Sequence, residues 1–61
     1  PYSYKFVTLN IPYEKHNIVD YFMKNYEIDS VEYTETGTLL KLNINSVDIQ
    51  RYGEFIIKIN N

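Results

Sequence analysis

The chain has 61 residues, no cysteine and a formal charge of −2 from six basic and eight acidic residues; 44% are apolar and 16% aromatic. That length holds one small domain with a net stability of ~3–5 kcal/mol, and the composition is that of a folding rather than a disordered chain. The balance excludes a disulfide framework, a thiolate metal site, a membrane span of ~20 apolar residues and any global attraction to nucleic acid or anionic lipid.

The opening stretch Tyr2–Ile11 predicts a strand with two apolar faces, because successive side chains point to opposite sides. Val7, Leu9 and Ile11 share one face; Tyr2, Tyr4 and Phe6 share the other. Such a strand belongs in the middle of a sheet. Pro12 ends it, since proline lacks a ladder donor. From Glu14 to Tyr26, Ile18, Val19, Phe22, Met23 and Tyr26 recur at helical spacing, with Tyr21 at the stripe's edge. Glu14 in the first turn and Lys24 near the end suit the helix dipole.

Glu27–Glu35 predicts a half-exposed second strand, with Val31 and Tyr33 at a period of two. Gly37 is expected to supply a positive φ in a tight hairpin leading to a third strand, Thr38–Asn45. Leu40, Leu42 and Ile44 fall on one face of that strand, and Leu39, Lys41 and Asn43 on the other. Asn45 or Ser46 as N-cap, Asp48 in the first turn and Gly53 at C′ predict a short helix over Val47–Tyr52. Glu54–Asn60 closes the chain as a strand, with Phe55, Ile57 and Ile59 alternating against Glu54, Ile56 and Lys58.

The order β-α-β-β-α-β predicts an α+β, ferredoxin-like domain: a four-stranded antiparallel sheet, both helices on one face, the second helix short. Residues 1–61 form a single domain, and the start at Pro1 fits either a piece of a longer chain or a product whose initiator was removed. The expected core comprises Val7, Leu9, Ile11, Ile18, Phe22, Val31, Tyr33, Leu40, Leu42, Ile44, Phe55, Ile57 and Ile59. The open sheet face is expected to hold Tyr2, Tyr4, Phe6, Glu32, Thr34, Leu39, Lys41, Ile56 and Lys58.

Nothing in the residues calls for catalysis, a cofactor or a metal. His16 is the only histidine, and Glu14 points away from it on the same helix. Two glycines cannot build a phosphate loop, and no nucleophile elbow or zinc spacing occurs. Glu32 and Glu35 read as solubilising charges rather than an acid–base pair.

What remains is the open face, with Tyr2, Tyr4, Phe6, Leu39, Lys41, Ile56 and Lys58 as candidate binding residues. Three readings compete. An exposed apolar sheet is often covered by a protein partner or a second copy of the chain. Aromatics beside lysines also suit single-stranded RNA, against which Glu32 counts. A silent face is the third, because tyrosine suits any half-exposed strand. The lack of cysteine is compatible with the reducing cytoplasm.

The pattern as a whole resembles the C-terminal domain of the Impact (YigZ-type) family. The likeness rests on a first strand ending near Tyr13 and an amphipathic helix reaching Tyr26. The spacing Tyr26-x-Ile28-x-x-Val31-x-Tyr33 follows, and then Leu40, Leu42 and Ile44 before a short acidic helix. The family's second helix is longer, whereas Tyr52-Gly53 arrives several residues early here. The resemblance implies a ferredoxin-like accessory module tied to translation or its regulation, with ribosome or nucleic-acid contact and no catalytic residue.

Overall fold

A computed structural model describes residues 3–60. Its architecture grows outward from the first strand, β1 (Tyr4–Pro12). After a 3₁₀ turn at Tyr13–Lys15 come helix α1 (His16–Asn25), strands β2 (Ile28–Tyr33) and β3 (Gly37–Asn45), and helix α2 (Ser46–Arg51). A second 3₁₀ turn, Gly53–Phe55, leads into β4 (Ile56–Asn60). The strands form one four-stranded sheet in the order β2-β3-β1-β4, each neighbouring pair antiparallel. The α+β class and the antiparallel sheet are as expected.

The register aligns Val7 with Leu42 and Leu9 with Leu40, so the apolar faces of β1 and β3 coincide. Val7, Leu9, Ile11, Leu40, Leu42 and Ile44 are all fully buried, each contributing ~1.5–3 kcal/mol of transfer free energy. Val19 and Phe22 of α1 close over them, and Ile49 of α2 and Tyr52 just after it pack against the same cluster. Both helices therefore sit on one face.

That cover reaches the central strands only. Val31 and Tyr33 on β2 and Ile57 and Ile59 on β4, all expected in the core, are exposed, Tyr33 to 69% and Ile57 to 63%. They lie on edge strands, and a helix of ten residues and one of six cannot span four strands. Ile18 is half-buried, while Val19 takes the fully buried place.

A β-bulge accounts for a second correction. β4 pairs Lys58 with Thr8 but Ile56 with Leu9, leaving Ile57 as an extra residue. An extra residue reverses the facing of the strand residue before it. Ile56, expected on the open face, therefore packs against the core.

The local signals acted differently from expectation in two places. Residues 14–15 are 3₁₀ rather than α-helical, and α1 begins at His16 with no side-chain cap. No glycine among the described residues has a positive φ. In the β2–β3 hairpin the Thr34 hydroxyl does the turning: Oγ1 accepts from the Gly37 amide at 3.2 Å and donates to the Gly37 carbonyl at 2.9 Å. Gly37 is needed for close approach instead, since a Cβ there would lie 2.4 Å from the Ile11 carbonyl oxygen.

Candidate functional site

The face away from the helices is laid out by the β1 register. Asn45 lies beside Tyr4. Asn43 and Asn60 flank Phe6, and Lys41 and Lys58 flank Thr8. Leu39 is beside Asn10, with Glu32 beyond it on β2. Diagonal neighbours in a sheet lie ~7–8 Å apart, so the Phe6 ring and both lysines share one patch.

The structure brings together Tyr4, Phe6, Leu39, Lys41 and Lys58 of the expected binding residues. Ile56 is turned away, as described, and Tyr2 lies outside the described residues. The patch is more polar than the aromatic spacing suggested. Tyr4 is 53% exposed, but Phe6 and Leu39 are half-buried, and asparagines fill the places between.

A groove of about 400 Å³ opens at one end of this face, lined by Phe6, Glu27, Ile28, Asp29 and Asn43. Asp29 is the extra residue of a bulge between Ile28 and Ser30, which carries its carboxylate to the groove. Positive charge thus lies on one side of Phe6 and negative charge on the other.

A different surface holds the exposed aliphatic side chains. Edge strand β4 and α2 border a groove of about 280 Å³ lined by Ile49, Gly53, Ile56, Ile57, Lys58 and Ile59. Ile57 and Ile59 were assigned to the core on alternation alone. Their exposure follows from the strand order and the bulge, which no local spacing encodes.

The buried charged group among the described residues is structural. Asp48, expected as a first-turn acid, is 3% exposed. Tyr21 Oη donates to its Oδ1 at 3.1 Å and to Oδ2 at 2.9 Å, and Tyr26 Oη donates to Oδ2 at 2.5 Å. Arg51 Nη1 stands 3.9 Å away, and the Asp48 amide donates to the N-cap Asn45 Oδ1 at 2.9 Å. Burial, and next the bond to Asp48, push both phenols above their ordinary value. The cluster clamps α2 onto α1 and leaves no carboxylate oxygen facing a cleft.

His16 meets Asp20 at 3.3 Å as an exposed pair one helical turn apart, a contact worth little. Among the described residues no group of three or more His, Cys, Asp or Glu could hold a metal ion, and no helix is long and apolar enough to cross a membrane. Comparison with protein-family models, curated proteins and solved structures returns no match.

Proposed function

We propose that the chain is a non-catalytic, ferredoxin-like accessory module that docks on a protein partner or a second copy, using the β4 edge and the α2 side of its sheet. The single observation behind this reading is the aliphatic groove along β4, where Ile57 and Ile59 stand exposed beside an unpaired strand edge. Free edges and exposed apolar patches both favour strand addition. The ferredoxin-like assignment is supported by the element order and by the pairing of β1 with β3 and β4. The likeness to the Impact C-terminal domain ties the module to translation, and the absence of cysteine suits the cytoplasm.

The test is retention of partners. Tagged chain and its Ile57→Lys, Ile59→Lys double variant are used as bait in lysate of the producing cells, with Lys41→Ala, Lys58→Ala as the open-face control. Proteins held by the wild type and the control but lost from the edge variant support the reading. Identical sets from all three baits end it.

A second reading is single-stranded RNA on the open face. It is favoured by the row Lys41–Thr8–Lys58 lying next to Phe6, a cationic stripe beside a stacking platform. Titration with a short RNA at low salt, followed by tyrosine fluorescence, tests it; a response that Lys41→Ala does not weaken counts against it.

A further inference from the structure

We infer that the occupant of the β4 edge is a second copy of this chain, added antiparallel about a two-fold axis through Ile59. This rests on the edge-docking reading above and goes further by naming the partner and the register.

A two-fold axis perpendicular to a sheet pairs antiparallel strands so that the numbers of facing residues have a constant even sum, and facing side chains share a face. Three centres have a β4 residue on both sides, and its own residues choose between them. Centring on Lys58 sets two lysines directly opposite, which is destabilising. Centring on Ile57 puts the axis on the bulge residue, where the ladder is interrupted.

Centring on Ile59 sets Ile59 against Ile59 of the second copy on the helix side. It also sets each Lys58 against Asn60 of the other copy on the open side, where an ammonium donor meets an amide acceptor. The sheet β2-β3-β1-β4 then runs on into the second copy's β4-β1-β3-β2, and the grooves lined by Ile49, Ile57 and Ile59 meet across the axis.

The charge pattern also speaks for self-pairing of β4 rather than of β2. The β2 edge carries Asp29 and Glu32 with no basic residue, so two such edges would repel. β4 carries one lysine and no acid. The ladder is short, so the dimer sits at the weak end of protein interfaces, below ~600 Å² per copy, out of a chain surface of 4197 Å².

The experiment uses the absence of native cysteine. Sedimentation velocity of the purified chain, over about two decades of concentration reaching millimolar, is expected to move from one chain toward two. Ile59→Lys is expected to hold it monomeric with an unchanged circular dichroism spectrum.

Facing residues of an antiparallel pair have Cα atoms ~4.5–5.5 Å apart, within reach of a disulfide. Ile59→Cys is therefore expected to oxidise to a covalent dimer at least about tenfold faster than Lys58→Cys or the β2-edge control Tyr33→Cys. A chain that stays monomeric throughout overturns the inference while leaving intact a lysate result that depends on Ile57 and Ile59. A dimer that survives Ile59→Lys, or equal oxidation rates at the three positions, also overturns it.

Discussion

The Tyr26 phenol donates a 2.5 Å hydrogen bond to Oδ2 of Asp48, joining the end of α1 to the first turn of α2 across 22 positions of sequence. Because the carboxylate is buried and charged, removing a donor leaves it short of partners rather than merely losing a contact. Tyr26→Phe is expected to cost ~1.5–3 kcal/mol, a large share of the ~3–5 kcal/mol a core of this size supplies. Urea unfolding followed by circular dichroism reads this directly, and an unchanged midpoint would refute the clamp.

The same phenols set the alkaline limit. Their folded pKa values are raised above the ordinary 10.0 by burial and then by Asp48, so the folded state holds its protons longer than the unfolded chain does. The stability they contribute is complete below the unfolded value and declines as pH climbs above it. Melting temperature is expected to fall above pH 10 in the wild type and to fall less steeply in Tyr26→Phe. Parallel slopes would remove these phenols as the cause.

The two glycines are expected to behave in opposite ways. A Cβ at Gly37 meets the Ile11 carbonyl oxygen at 2.4 Å, whereas one at Gly53 meets nothing within 4 Å. Gly53→Ala is expected to be neutral or stabilising by ~0.4–1 kcal/mol through the unfolded state. Gly37→Ala must push β1 from β3 and is expected to destabilise by ~1–3 kcal/mol. Paired denaturation curves decide it, and similar midpoints for the two variants would contradict the close approach.

The bulge at Ile57 makes adjacent isoleucines unequal. Ile56→Ala removes a side chain packed on the core and is expected to cost ~1–2 kcal/mol, whereas Ile57→Ala, at an exposed position, stays within ~0.5 kcal/mol. The reverse ranking in thermal melts would mean that β4 pairs with β1 in unbroken register.

The elements were legible because their signals are local. The stripe Ile18, Val19, Phe22 makes α1 wherever it packs, and the alternation Leu40, Leu42, Ile44 makes β3 on a face that needs covering. The hairpin was legible in place but not in cause, because the Thr34 side chain rather than a left-handed glycine closes it. Of the candidate patch, Tyr4, Phe6, Leu39, Lys41 and Lys58 could be gathered by counting in twos. Asp48 could not be read as buried, since its partners Tyr21 and Tyr26 come from a helix and helix end more than twenty residues away.

Local pattern was enough to specify a two-faced central strand, β1, and a core built on Val7, Leu9, Ile11, Leu40, Leu42 and Ile44. Burial of such alternating side chains is enforced by the pleat of the strand that carries them. Which apolar residues remain outside was set by the assembled sheet. Strand order placed β2 and β4 at the edges beyond the reach of two short helices, and one extra residue in β4 exchanged the roles of Ile56 and Ile57. Exposure at a sheet edge depends on neighbours distant in sequence, and for that reason the surface proposed for docking emerged from packing rather than from spacing.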